Sequence, residues 1–599
     1  MAIAPADEGE PGASDEEQQL AQAGRRRGRK RRKVLVIVAV AAWLVGAAAT
    51  LVAAGLSVRA GRAALEEVRA EASVSTVDSD QGLARLVDAE AHFDTARARV
   101  RSFVVSPLRA LPVIGRQLRS VDHLSHAGAV VAGTAADALG QVRERLEAGL
   151  PSGPDRARLL VDLAHVARAA EERLRTVDLG PDDALVGPLA DGRARAEEEL
   201  TELLGSTGRA QMAAGGLAEL FTGDSTQLLL LANNAEMRAG SGMFLTVGTL
   251  SITDGRLSVG EIVPTNDFQL PESVPVEGDL ADRWGWLEPG REWRNLGVTP
   301  RFDITAPLAA RMWAAARGQE VDGVLALDVI TLQALLRAGG PIQVKGEQID
   351  ADNVVQDLLH DQYVGVDLGD PTNQEARRGR LAGVARATLE ALERPHLDGR
   401  LLAEELAVTA RARHLLAWSV RPQVQQGWEA MDVDGALDGD ELSIALLNRG
   451  GNKLDPYLQV DAHLQVAPGP ELTAVSVELR LQNLASAEEP SYILGPSPPL
   501  NVAPGTYVGL VAATLPGSAG SGRFDGFDQL AVAGPDGPTR VVAVPVEIPR
   551  GEERTLTLRF ELPPGPAPME VLPSARTPAI SWRAGDRAWE DDHTEVLAW

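Results

Sequence analysis

Residues 227–256 read QLLLLANNAEMRAGSGMFLTVGTLSITDGR. Gln227–Leu231 is a short apolar strand, and Met243–Ile252 is a second. Thr253-Asp254-Gly255-Arg256 is a hairpin signal, because a two-residue turn needs the positive φ that Asp-Gly accepts. The polar, glycine-containing stretch Ala232–Gly242 between the two strands is expected to be a loop. Strand, polar loop, strand presents side chains at the end of a sheet. Asn233, Asn234, Glu236 and Arg238 would stand there. Arginine can grip a phosphate with two parallel hydrogen bonds, and Gly240 and Gly242 allow a close backbone approach.

Toward the C-terminus the pattern stays β-like. Leu458, Val460, Ala462, Leu464 and Val466 alternate with polar residues, as do Val475–Leu481 and Leu556–Leu562. Period two predicts half-buried strands, and the proline- and glycine-rich turns between them fit an antiparallel β-sandwich over 431–599. Toward the N-terminus the period is helical. Leu86, Phe93, Ala96, Val100 and Phe103 form one stripe, and Leu159, Leu163, Val166, Ala170 and Leu174 another. A helical stalk or bundle is expected over 59–219, broken near Pro107 and Pro112.

Val34–Val58 is a run of 25 residues without a charge. At about 1.5 Å per residue it can cross a hydrocarbon core of roughly 30 Å. Arg25–Lys33 abuts its N-terminal end, so residues 1–33 are expected as a disordered cytoplasmic tail and the bulk of the chain outside the membrane. The whole chain has 599 residues and a net charge of −26, yet this tail carries +2, leaving −28 beyond it. Such acidity argues against nucleic acid as a partner. The absence of cysteine excludes disulfides, thiolate metal sites and thiol nucleophiles. The nine histidines form no HExxH-like pair, and no Walker A loop, dinucleotide glycine pattern or nucleophile elbow is present.

The stretch LLLLANNAEMRAGSGMFLTVGTLSITDGRL resembles the bacterial family called domain of unknown function 4012. Further segments resemble that family in the same order. They are Trp293-Arg294-Asn295 with Pro300-Arg301-Phe302, Val321–Asp328 with Gly340–Val344, Ala351–Val354, Leu415–Ser419, and Leu447-Asn448 with Asn452–Asp455. Upstream, Pro107 and Leu111–Gln117 look like its membrane-proximal helical segment.

More distantly, the order strand, Arg-containing loop, strand, DGV-x-x-x-D, helix, GGP is similar to the LytR–CpsA–Psr family. Those are membrane-anchored enzymes that transfer phosphate-linked glycopolymers from a polyprenyl carrier to the wall, gripping the pyrophosphate with arginines and magnesium. The resemblance implies an α/β domain over 220–430, with Arg238 as a phosphate-binding arginine, Asp328 near a strand end, and Arg377 and Arg378 opening a later helix. Where that family has a metal-binding Asp after its first loop, this chain has Gly240–Phe244 without a carboxylate. Magnesium is therefore expected only if phosphotransfer is retained. The overall expectation is a multidomain α+β protein: tail, single transmembrane helix over 34–58, stalk, α/β domain and β-sandwich. It is expected in the cell envelope, binding or transferring a polyprenyl-phosphate-linked glycan or wall polymer. The alternative is a non-catalytic scaffold for an envelope protein partner.

Overall fold

The computed structural model describes residues 15–70, 80–147, 149–268, 270–365, 371–395, 397–497, 499–565 and 568–599. The first fourteen residues of the expected tail lie outside the described residues. The chain divides into two compact units, one of Met1–Gly140 with Glu172–Leu204, the other of Gln141–Glu171 with Gly205–Trp599. In the first unit, the helical segment Ala39–Glu67 has a mean hydropathy of 2.0 and is long and apolar enough to cross a membrane. Helix Asp80–Val100 packs on it through Ala89 and Phe93, and helix Pro112–Leu146 begins with its proline in the first turn, where a missing N–H costs nothing. Phe103, expected to continue the buried stripe, is exposed instead. Its helix stops at Val100, so the period that placed it no longer applies.

The second unit is built on a five-stranded sheet. Its strands are β1 (Ser225–Arg238), β2 (Ser241–Thr253), β3 (Arg256–Pro264), β4 (Gly323–Leu327) and β7 (Leu415–Ser419), in the order β3-β2-β1-β4-β7. Only β1 and β4 run parallel. The β2–β3 turn has Asp254 at φ 48° and Gly255 at φ 74°, both positive as the hairpin signal requires. Leu228 and Leu230 enter one core with Trp284, Trp293 and Phe302, while Leu229 and Leu231 enter another with helices Val329–Gly339 and Pro371–Ala391. The sheet is covered on both faces, and that is why β1 carries four consecutive leucines, Leu228–Leu231. A two-stranded ribbon, β5 (Ile342–Val344) and β6 (Glu347–Ile349), adds Ile342, Val344 and Ile349 to the second core.

The C-terminal third holds two six-stranded sheets. With β12 at Arg523–Phe524, β13 at Val532–Asp536 and β19 at Glu595–Leu597, one runs β12-β15-β10-β9-β17-β18 and the other β13-β14-β11-β8-β16-β19. The central strands are β8 (Glu441–Asn448), β9 (Leu458–Ala467), β10 (Thr473–Asn483), β11 (Tyr507–Leu515), β14 (Thr539–Ile548) and β15 (Glu553–Leu562). Leu442, Leu446 and Val511 of one sheet and Val460, Val477 and Leu558 of the other share a single core. The outer face of β8, β11 and β14 (Ala445, Leu447, Leu510, Val541) joins the core of the five-stranded sheet. Hence β8 is buried at every position while β9, β10 and β15 alternate. The pairing is not wholly antiparallel. The last segment adds β16 (Met569–Val571) parallel to β8 and β17 (Ser581–Ala584) parallel to β9.

Asp591 follows β18 (Arg587–Glu590) and is buried, with Ser574 donating to it from its backbone N–H at 2.8 Å and from its hydroxyl. Burial pushes its carboxyl up to about 7, against the lowering effect of Ser574. A folded value above the unfolded one means that folding takes up a proton. This group is neutral to stability at low pH and increasingly unfavourable as pH rises through about 7. Asp591→Asn is expected to flatten the fall in melting temperature between about pH 4 and pH 7 and to raise it above that range. An unchanged pH profile would count against the assignment.

Candidate functional site

The polar stretch after Leu231 is not a free loop. Asn233 pairs with Met243 and Met237 with Gly242, so β1 continues through Arg238 with Asn234, Ala235 and Glu236 bulged out between two paired positions. A side chain at position 242 would place its Cβ 2.4 Å from the Asn233 carbonyl oxygen, so glycine is what lets β2 close on the bulge. The bulge holds because each of its polar side chains has a buried partner.

Asn234 and Asp328 meet off to one side. Asn234 donates to Asp328 at 2.8 Å and to the Ala575 carbonyl at 3.0 Å. Asp328 caps the helix Val329–Gly339, accepting from the N–H groups of Ile330 and Thr331, and its other oxygen lies 2.5 Å from His414 Nδ1. Both oxygens of Asp328 are thus engaged in the buried framework, and neither Asn234 nor Asp328 lines the cleft described next. The side chains of Arg377 and Arg378 lie outside the described residues.

Asn233, Glu236 and Arg238 do reach a common space, a cleft of about 790 Å³. One wall comes from the bulge, from the start of β2 and from Glu292, Arg294 and Asn295. The other comes from Asn448–Lys453 and Ser491–Ser497. Arg238 is buried, donating to the Met237 and Asn448 carbonyls at 2.9 and 2.8 Å and to Asn295 at 3.2 Å. Burial pulls its guanidinium down, Glu236 and Asp455 pull it up, and arginine stays charged. Glu236 forms a buried ion pair with Lys453. Burial favours the neutral amine of Lys453, but Glu236, Tyr363 and Tyr492 together outweigh it and hold the ammonium above the ordinary lysine value. The same ammonium lies 5.8 and 5.4 Å from the rings of Tyr363 and Tyr492, which stack on each other. Asn233 donates to the Tyr363 hydroxyl at 2.7 Å.

Arg294 is held bidentately by Glu292, and Arg449 lies over the Trp286 ring at 4.8 Å. The cleft is therefore lined by four cationic side chains (Arg238, Arg294, Arg449, Lys453) against two carboxylates (Glu236, Glu292), within a chain of net −26. Among the described residues no group of three or more His, Asp or Glu is disposed to hold a metal ion. The arrangement can hold an anion. Arg294 and Lys453 were legible only as parts of motifs, Lys453 also as one of four lysines in the chain, and Arg449 stood out in no sequence pattern.

Residues 222–363 match the family model described as Protein of unknown function (DUF4012). The resemblance carried by NNAEMR and the DGV segment is thereby shown over this span. The DUF4012 match takes in the bulge, Glu292–Asn295, Asp328 and Tyr363, and so supplies one wall of the cleft. Arg449, Lys453 and Ser491–Ser497, on the other wall, lie beyond the matched residues. No curated protein and no solved structure matches the chain.

Proposed function

We propose that this is a membrane-anchored, extracytoplasmic cell-envelope protein that binds a phosphate-linked lipid or glycopolymer in the cleft at the β1 bulge. Arg25–Lys33 keeps the N-terminus cytoplasmic, and Val34–Val58 tethers the chain to the membrane that carries such ligands. On this reading the domain around β1 is LytR–CpsA–Psr-like and the two C-terminal sheets form a β-sandwich whose turns build the far wall. The observation that carries it is the surplus of cationic side chains in one cleft of an acidic chain. Binding rather than transfer is proposed, because the equivalent of the metal-binding aspartate is missing from Gly240–Phe244.

Arg449 is the residue to test, since its side chain is exposed and its replacement leaves the buried network intact. In the full-length protein, Arg449→Ala is expected to weaken pyrophosphate and short-chain polyprenyl-phosphate binding by about tenfold, the loss of one charge-assisted hydrogen bond. Binding of the polyprenyl form but not of pyrophosphate would assign the recognition to the lipid. If the unmutated chain binds neither, the reading fails and the scaffold alternative stands. That alternative requires protein partners whose capture is indifferent to Arg449→Ala.

A further inference from the structure

Residues 95–119 contain six arginines (Arg97, Arg99, Arg101, Arg109, Arg116, Arg119) and no Asp or Glu. In a chain of net −26 that is a local reversal of charge. The middle of this stretch, Phe103–Ile114, carries the chain from helix Asp80–Val100 into helix Pro112–Leu146. It leaves Phe103 88%, Val113 71%, Leu111 45% and Ile114 42% exposed. Each such side chain left in water forgoes about 1.5–3 kcal/mol of burial, and a clustered apolar patch marks an interaction surface.

The other side of the same turn is packed on the apolar helix. Trp43 Nε1 donates to the Val104 carbonyl at 2.8 Å, and Ala47 and Ala54 share a core with Val100, Val105 and Leu108. Arg99 donates to the Ala53 carbonyl and to the Ser57 hydroxyl. Trp43 lies about 22 Å along the helix from Val58, the outer end of the uncharged run. A bilayer that takes up Val34–Val58 therefore meets this turn as well. Arg97, Arg101 and Arg109 gather on the single carboxylate of Asp122, at 3.5, 2.7 and 2.7 Å, which leaves positive charge over. Arginine stems can lie along apolar surface while their heads reach lipid phosphates.

We propose that Phe103–Ile114 is a second membrane-contacting element, a re-entrant tip that sinks its apolar side chains into the leaflet beside the anchor while the arginines meet anionic headgroups. The inference rests on the membrane reading of Val34–Val58, and the experiment separates the two. Because the chain has no cysteine, single cysteines can carry an environment-sensitive fluorophore without background. Full-length Phe103→Cys, Val113→Cys, Leu44→Cys and Asp586→Cys are placed in vesicles of phosphatidylcholine with phosphatidylglycerol. Lipids bearing an acyl-chain nitroxide and aqueous iodide serve as quenchers. The labels at 103 and 113 are expected to be quenched by the nitroxide to the extent seen at 44 and shielded from iodide, with the label at 586 behaving oppositely. If 44 is lipid-quenched while 103 and 113 respond to iodide, the anchor stands and the tip is overturned. Shielding of 103 and 113 from both quenchers means a protein contact, such as a second copy, and also overturns it. Iodide access at 44 removes the anchor and the inference with it.

Discussion

Replacing Arg576 with methionine is expected to cost roughly 3–5 kcal/mol of local stability, the penalty for stripping one partner from a buried ion pair. Arg576 and Asp455 have side chains 1% and 0% exposed, 3.3 Å apart. Arg576 also donates to the Asp455 and Leu458 carbonyls. Asp455 in turn accepts from the Met237 N–H at 3.1 Å, from Asn448 at 2.8 Å and from the Tyr507 hydroxyl at 3.4 Å. The pair therefore ties the β1 bulge to β8 and β11, and its loss should be felt at the cleft. Burial raises the Asp455 carboxyl and Arg576 opposes that rise. With Arg576 gone only the Asn448 and Met237 hydrogen bonds still oppose the rise, so the carboxyl should move up, and the deficit should be smallest at acid pH and grow as pH climbs above the carboxylate range. A single unfolding free energy is ill-defined for a chain of several cores, so amide exchange is the measurement. Exchange in β1 and β8 should quicken by about a hundredfold or more. A change under tenfold would show that the network does not hold these strands. Arg576→Met with Asp455→Asn should recover part of the loss, because no uncompensated charge is then left inside.

Much of the framework was legible because its signals are local. The Asp254-Gly255 turn is fixed by a φ requirement that those two residues meet. β9, β10 and β15 show period two because one face of their sheet stays solvated, as the burial along each strand records. β8 and β11 gave a weaker signal for the opposite reason. Both faces of their sheet are covered, so Glu441–Asn448 has no alternation to read. The parallel additions β16 and β17 are three and four residues long, too short for any period.

The site was half legible. Asn233, Glu236 and Arg238 stood out as polar residues breaking an apolar run. Their partners lie far along the chain: Tyr363 from Asn233 by 130 residues, Lys453 from Glu236 by 217 and Asn448 from Arg238 by 210. No pattern in one segment specifies a pairing at that distance, because topology supplies it. The bulge was hidden for the same reason. A polar stretch between two strands reads as a loop unless one knows that buried partners await its side chains. Asp328 was noticed as an acid at a strand end, and its structural work, capping a helix and meeting His414, uses the same property.

The pair Glu236–Lys453 makes the sharpest test of how the cleft works, because its two halves should act alike on stability and oppositely on binding. The side chains are 7% and 6% exposed, so removing either leaves a buried charge behind and should destabilise the unit by roughly 3–5 kcal/mol. Lys453→Met would leave Glu236 unpaired in the cleft wall and remove one of four cations, so anion affinity should fall by more than tenfold. Glu236→Gln would instead free the ammonium of Lys453, still framed by the stacked rings of Tyr363 and Tyr492, to meet a ligand. Its affinity for pyrophosphate should rise by about tenfold even as the protein melts earlier. A purely structural pair would give two destabilised proteins with anion affinities shifted in the same direction. Titration calorimetry with pyrophosphate on full-length Glu236→Gln and Lys453→Met decides between them. Opposite signs would mean that Lys453 is a ligand-facing cation restrained by Glu236, and equal signs that the pair only braces the bulge.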